Sequence, residues 1–269
     1  MNRIETMFAG LQEKGRSGLA CYFTAGDPSY AQSLELLQQL GKNGADLIEL
    51  GLPFSDPVAD GPVIQAAHLR ARAAGQTVAR TLALVAALRE SDTTTPVVLM
   101  GYLNPLMQYG IEEFMPDAAR AGVDGLLLVD LPFEHAAMVA VPAQAEGIRL
   151  IRMTAPTSDD SRLGALVAQA EGFVYHVALT GTTGAAQGVF EEIAASLARV
   201  RRHTGLPLAV GFGIRTPAQA AELAANAELV VVGSALVETF ATQGMAATLQ
   251  QVRDLHVAVC AAAQAVEPF

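Results

Sequence analysis

A glutamate interrupts an apolar run that has the character of a β-strand. Glu49 lies within Asp46-Leu47-Ile48-Glu49-Leu50 and, in the period-two alternation of a strand, shares a face with Leu47. Burial on that face would raise the pKa of its carboxyl group and suit it to acid–base chemistry near neutral pH. The alternative is a strand-end acid that pairs with an arginine or caps a helix.

A second acid follows in the loop that leaves this run. Asp60 lies near the end of Gly51-Leu52-Pro53-Phe54-Ser55-Asp56-Pro57-Val58-Ala59-Asp60-Gly61-Pro62, whose composition is typical of a turn-forming loop. Taken alone, Asp60 is equally well explained as a loop acid or as a helix cap before Gly61 and Pro62.

Other chemistry is disfavoured by the residue types that are missing. The only two lysines, Lys14 and Lys42, do not follow a predicted strand, so the sequence offers no Schiff-base lysine. Its five histidines show no metal-ligand spacing, and G-x-S-x-G is absent. We therefore expect structural histidines and no metal site.

Glycine-rich segments follow three predicted strands in succession. They are Gly181-Thr182-Thr183-Gly184, Gly211-Phe212-Gly213 and Gly233-Ser234. At such positions a barrel often holds a phosphate on backbone N–H groups at the start of a short helix. The segments therefore predict a phosphorylated small molecule as ligand.

Eight short apolar runs alternate with stretches of helical period. This alternation is the signature of βα units around a parallel sheet. The predicted strands span 19–24, 46–50, 96–100, 125–129, 148–152, 173–178, 207–210 and 229–232. The predicted helices between them include 30–40, 78–89, 111–121, 161–170, 190–202 and 217–225.

The repeat predicts one (β/α)₈ TIM barrel, a single domain over residues 1–269. An extra N-terminal helix over 5–14 is expected to plug the barrel floor, and residues 245–266 form the predicted last helix. A doubly wound open sheet is the structural alternative, but its G-x-G-x-x-G fingerprint is missing.

Charge and composition exclude several classes of partner. The 269 residues carry a net charge of −10, which would repel a nucleic-acid backbone. No stretch approaches the roughly 18 apolar residues that span a bilayer, and the opening residues resemble no targeting segment. Two cysteines without a framework fit a reducing compartment. We expect a cytoplasmic protein that binds neither nucleic acid nor membrane.

The run from Asp46 to Gln65 closely resembles the signature of the tryptophan synthase alpha subunit family. Further stretches match the family in the right order: Thr24-Ala25-Gly26-Asp27-Pro28, Tyr102-Leu103-Asn104-Pro105, Val129-Asp130-Leu131-Pro132, Thr154-Ala155-Pro156-Thr157, Gly181-Thr182-Thr183-Gly184, Val210-Gly211-Phe212-Gly213-Ile214 and Val232-Gly233-Ser234-Ala235. The resemblance covers nearly the whole chain.

The resemblance implies a barrel lyase that cleaves indole-3-glycerol phosphate to indole and glyceraldehyde 3-phosphate. In that family role Glu49 would protonate C3 of the indole and later deprotonate the glycerol hydroxyl beside the ring, while Asp60 would bind the indole N–H. The family's indole-pocket positions correspond to Tyr22, Tyr102, Leu127 and Tyr175. Its phosphate-binding positions correspond to Gly184, Gly213, Gly233 and Ser234. Residues 179–189 match a mobile lid whose Thr183 reaches Asp60.

The resemblance also implies a partner. The family works as an α₂β₂ heterotetramer in which a beta subunit carries pyridoxal phosphate (PLP) and consumes the indole, so no cofactor is expected in this chain. A stand-alone indole-releasing lyase, a phosphosugar-type barrel isomerase and a catalytically weak regulatory partner are the competing interpretations. The intact Glu49, Asp60 and Thr183 count against the last of these.

Overall fold

Eight parallel strands close into a barrel in the computed structural model of the protein. The structure describes residues 2–178, 186–211 and 213–262, and at 186 and 187 it describes the backbone alone. The strands are β1 (Gly18–Thr24), β2 (Leu47–Gly51), β3 (Val97–Gly101), β4 (Gly125–Leu128), β5 (Arg149–Thr154), β6 (Val174–Val177), β7 (Leu208–Gly211) and β8 (Leu229–Val232). Each lies within two residues of its predicted bounds.

The barrel closes because β1 pairs with β8 as well as with β2. This closure confirms the (β/α)₈ prediction and excludes the open-sheet alternative, since an open sheet would leave two unpaired edges. The register sets Glu49 of β2 beside Tyr22 of β1 and Val98 of β3. Catalytic groups in such a barrel are expected where the strands end, at the C-terminal mouth.

Eleven α-helices lie within the described ranges. They are α1 (Arg3–Glu13), α2 (Tyr30–Leu40), α3 (Pro62–Ala73), α4 (Val78–Arg89), α5 (Leu103–Tyr109), α6 (Ile111–Ala121), α7 (Ala137–Ala145), α8 (Asp160–Val167), α9 (Ala186–Arg201), α10 (Pro217–Ala224) and α11 (Ser234–Ala261). As far as the described ranges extend, none of these helices has the length and apolar character needed to cross a bilayer.

The first helix plugs the barrel floor, as its position in the sequence predicts. Asn2 and Glu5 cap its N-terminus reciprocally in a capping box. Ile4, Phe8 and Leu11 pack into the interior cluster of strand side chains, where the Phe8 and Phe173 rings lie 5.7 Å apart. The interior is thereby sealed at one end, and the strand C-termini form the open end.

The last helix differs from its prediction of 245–266. α11 begins at Ser234, directly after β8, and is interrupted at Gly244, whose φ of 79° lies outside the helical region. The apolar periodicity predicts only the segment after this break. The predicted final residues, beyond 262, fall outside the described part of the chain.

Candidate active site

Glu49 projects into the upper part of the barrel interior. Its side chain is 3% exposed, and its Oε1 has no hydrogen-bond partner among the described residues. Burial raises the pKa of the carboxyl group to about 8, and the nearby charge of Asp60 adds to the shift. The alternative in which Glu49 pairs with an arginine is not what the described residues show. The group can therefore keep a proton at neutral pH.

Asp60 is held at the mouth by a loop with its own internal hydrogen bonds. In this β2–α3 loop, residues 52–61, the Asp60 N–H donates to the Pro57 carbonyl at 3.0 Å. The Tyr102 hydroxyl donates to Asp60 Oδ2 at 2.7 Å and accepts the Ala59 N–H at 3.0 Å. The side chain of Asp60 is 8% exposed. The carboxylate is thus held in position, near enough to Glu49 for its charge to raise the pKa of that group.

Two tyrosines lie beside Glu49. Burial raises the pKa of both Tyr22 and Tyr175 well above the usual value, and the charge of Glu49 raises each further. Both phenols therefore stay protonated. Their hydroxyls lie over Gly51 and Gly211, so closely that no side chain would fit at either glycine. Strand glycines here make room for the tyrosine rings.

The structure brings most of the predicted pocket residues together. Tyr22, Tyr102 and Tyr175 cluster around the two acids, and the fully buried Leu127 belongs to the same interior cluster as Tyr175. Thr183 lies outside the described residues, as does most of the segment 179–189.

The predicted phosphate residues follow β7 and β8, which pair with each other. Gly213 has a φ of 28°, and a Cβ added there would meet open space. Gly233 is the N-cap of α11 and Ser234 its first residue, and the first N–H groups of a helix have no partner within it. Gly184, the remaining member of the predicted set, is outside the described residues.

Four apolar residues at the mouth are absent from the sequence prediction. Met100, Val129, Met153 and Val177 are partly buried and pack against the cluster that contains Leu127 and Tyr175. Each lies at or near the end of a strand, the position where barrel sites are expected. Their position at strand ends could have identified them as pocket residues, but their apolar side chains offer no catalytic chemistry that distinguishes them from core residues.

His68 is a further residue beside the acids that the sequence does not distinguish. It lies in α3, is 2% exposed, and its Nε2 is 3.4 Å from Asp60 Oδ2. By contrast, His176 bonds the Thr154 hydroxyl at 3.0 Å, and burial lowers its pKa to about 4 with help from the charge of Arg199. Within the ranges described, no three His, Cys, Asp or Glu side chains are grouped so as to hold a metal ion.

Comparison with known proteins gives a consistent result over nearly the whole chain. Residues 8–267 match the family model described as tryptophan synthase alpha chain. The crystal structure of tryptophan synthase subunit alpha from Legionella pneumophila str. Paris is 39% identical, with a TM-score of 0.89, over 96% of this chain and 98% of that one.

Two structures of lower sequence identity are similar to this chain in fold. Tryptophan synthase from M. tuberculosis, in an aminoacrylate-bound form, is 32% identical with a TM-score of 0.88, covering 96% of this chain and 100% of that chain. A protein from Aquifex aeolicus VF5 is 34% identical with a TM-score of 0.90, covering 96% of this chain and 99% of that one.

Proposed function

The chain belongs to the tryptophan synthase alpha chain family, whose members cleave indole-3-glycerol phosphate, and we propose that it does so with Glu49 and Asp60 as its two catalytic carboxylates. The observation that carries the assignment of roles is the buried Glu49 carboxyl group, whose pKa of about 8 lies close to neutral pH.

The reaction needs a proton delivered and then recovered. A proton added to C3 of the indole makes the ring an electron sink. A base next removes the proton of the glycerol hydroxyl beside the ring. The bond between C3 and the glycerol carbon then breaks, its electron pair returns to the ring as indole, and the hydroxyl carbon becomes the aldehyde of glyceraldehyde 3-phosphate. The chain needs no cofactor, because the substrate supplies the electron sink.

Glu49 is suited to both proton transfers. Its burial keeps the carboxyl group protonated at neutral pH, so it can donate to C3. Once ionised in an apolar setting it becomes a strong base, which favours removal of the hydroxyl proton. An unpartnered Oε1 leaves it free to contact substrate.

Asp60 is suited to a different task. Tyr102 fixes its Oδ2, and the carboxylate can accept the indole N–H while positive charge develops on the protonated ring. The two carboxyl groups thus have different roles because their surroundings differ: Glu49 is buried with an unpartnered oxygen, and Asp60 is held by the Tyr102 hydroxyl.

The substrate's two ends would then occupy two sides of the mouth. Tyr22, Tyr102, Leu127 and Tyr175 would contact the indole, with Thr183 closing over Asp60. The phosphate would lie on backbone N–H groups at Gly184, Gly213, Gly233 and Ser234. The N-terminal position of Gly233 and Ser234 in α11 supports this assignment, since a helix N-terminus favours an anion.

A partner and a setting follow from the same family. The whole chain, 1–269, would act as one domain in the cytoplasm and bind a PLP-dependent beta subunit in an α₂β₂ heterotetramer. Val58 in the β2–α3 loop is 84% exposed and Met107 in α5 is 54% exposed, both after strand C-termini. Exposed apolar side chains at the mouth support docking of a protein there, next to where indole is released.

The test is release of indole from indole-3-glycerol phosphate by the purified chain, measured with and without a tryptophan synthase beta subunit. Cleavage that the beta subunit accelerates supports the whole proposal. Full activity without any response to the beta subunit would indicate a stand-alone lyase. No cleavage under either condition would overturn the proposed function and return the phosphosugar isomerase to consideration.

A further inference from the structure

His68 has one ring nitrogen occupied by the backbone of the β2–α3 loop. The Phe54 N–H donates to His68 Nδ1 at 3.1 Å, and the side chain is 2% exposed. Because Nδ1 accepts this hydrogen bond, the neutral ring carries its proton on Nε2. The backbone contact therefore fixes both the tautomer and the direction of the ring.

The other ring nitrogen faces Asp60. His68 Nε2 lies 3.4 Å from Asp60 Oδ2 and makes no hydrogen bond within the described residues. A buried N–H donor without a partner is costly, so a small reorientation of either side chain that completes this hydrogen bond is favourable. Active-site hydrogen bonds are often long in an empty site and shorten in the complex.

Asp60 Oδ2 thus faces two donors from different elements. The Tyr102 hydroxyl approaches at 2.7 Å from beyond β3, while His68 Nε2 approaches from α3. The described residues make no hydrogen bond to Oδ1 of Asp60. Once His68 Nε2 also donates, two donors on one oxygen fix the rotation of the carboxylate and leave its second oxygen for a ligand.

We propose that His68 is a positioning residue, which turns Asp60 so that Oδ1 accepts the indole N–H of the substrate. The inference rests on the proposed function. His68 does not touch the reacting atoms, and it acts through Asp60. The alternative is that His68 only anchors the β2–α3 loop, through its hydrogen bond with the Phe54 N–H.

Two amide variants, each of which reproduces one ring nitrogen of His68, separate these roles. The side chain of His68→Asn ends at the position of Nδ1, so its oxygen can accept the Phe54 N–H but nothing reaches Asp60. The side chain of His68→Gln extends to the position of Nε2, where its amide N–H can donate to Asp60 while the Phe54 contact is lost. The first variant keeps the loop anchor, and the second keeps the contact with the carboxylate.

The experiment measures the dissociation constants of two non-cleavable ligands by calorimetry: an indole alkyl phosphate and its benzofuran counterpart, in which oxygen replaces the N–H. The wild type should prefer the indole ligand. His68→Asn should lose about 10-fold or more of that preference, as expected for a hydrogen bond to a charged group, with little change toward the benzofuran. His68→Gln should retain most of the preference, and kcat/KM for indole-3-glycerol phosphate should follow the same order.

The outcomes distinguish the two levels of inference. If His68→Asn retains the full preference, or if both variants weaken both ligands equally, the positioning role is wrong while the lyase assignment stands. If the wild type cleaves no indole-3-glycerol phosphate and does not distinguish the ligands, the proposed function itself fails. Thermal unfolding of each variant identifies any that does not fold, and the remaining variant then decides.

Discussion

At the level of single residues, Glu49 and Asp60 are chemically similar groups whose different surroundings suit them to different roles. Glu49 is enclosed by the barrel interior, and its charged form is penalised. Asp60 lies in a loop where Tyr102 and His68 approach the same carboxylate oxygen. The first group is prepared to carry a proton and the second to bind a donor, so exchanging their roles would require rebuilding both environments.

The role of Glu49 predicts a selective loss of turnover. Glu49→Gln should lower kcat by at least about 100-fold, the usual contribution of a positioned acid–base group, and change KM much less. Steady-state kinetics of indole release measures both. Glu228→Gln is a matched control, because Glu228 is also buried but pairs with Arg201 beside the N-terminal end of β7. Near-normal turnover in Glu49→Gln would remove Glu49 from the mechanism.

The raised pKa of Glu49 also predicts a pH dependence. If the protonated carboxyl group starts the reaction, kcat/KM should fall as the pH rises through about 8, because deprotonation removes the acid in the free enzyme. A pH profile of kcat/KM measures this limb. A profile that stays flat from pH 6 to well above pH 8 would contradict the proton donor assigned here.

The same pKa shift predicts that Glu49 lowers the free energy of unfolding at neutral pH. The pKa is about 8 in the folded chain against an ordinary value of 4.5, so between these pH values the folded state holds more protons than the unfolded state. Raising the pH through this window therefore destabilises the fold. Glu49→Gln should raise the free energy of unfolding by about 3 kcal/mol at pH 7 and by little below pH 4. Denaturant melts at both pH values would show the difference, and equal gains would refute it.

At the level of elements, strands are more predictable from this sequence than helices. Buried parallel strands read as short apolar runs, so all eight are predicted within two residues. The helices α3, α5 and α7 are not among those predicted with bounds. α5 spans only seven residues and contains Pro105, and α7 contains Pro142 with apolar residues around much of its circumference, so neither shows a clear 3.6-residue period.

The candidate site is predictable only in part, for a similar reason. Period-two alternation predicts Glu49 on the interior face, and the structure has it there. The approach of His68 to Asp60 depends on the path of the β2–α3 loop, which folds back so that the Phe54 backbone meets α3. No local pattern encodes that return, because it is set by long-range packing against Tyr102.

The phosphate assignment yields an element-level prediction. Gly233→Glu should raise KM sharply and change stability less, because its carboxylate would enter the phosphate volume and repel the ligand. The position has a φ of −120°, and an added Cβ would meet Tyr22 at an ordinary 3.4 Å, so the chain can accommodate the change. Gly213→Glu should raise KM similarly, but its φ of 28° strains any side chain, so this variant should also lose stability.

A charge-matched control tests whether the effect is local. Gly205 precedes β7 at the opposite end of the barrel, and an added Cβ there meets nothing within 4 Å. Gly205→Glu should leave KM near the wild-type value. Normal KM in the Gly213 and Gly233 variants would show that the phosphate binds elsewhere.

At the level of the whole molecule, the barrel has one sealed end and one reactive end. α1 fills the floor, while the β2–α3 loop at the mouth carries Asp60 and also exposes Val58. Val58 directly precedes Ala59, whose N–H donates to the Tyr102 hydroxyl, and only Ala59 separates it from Asp60. A protein that docks on Val58 and a ligand that binds Asp60 would therefore act on the same short segment.

This shared loop predicts reciprocal coupling between substrate and partner. A phosphate-bearing substrate analogue that binds beside Asp60 should tighten association with the beta subunit. The beta subunit should tighten binding of the analogue by the same free energy, about 1–3 kcal/mol. Calorimetric titrations in both orders measure the two factors. Val58→Asp should weaken association, whereas Val257→Asp, in the far part of α11 and 66% exposed, should not. If analogue and beta subunit bind independently, or if both valine variants behave alike, the loop does not link the two sites even though the lyase chemistry can stand.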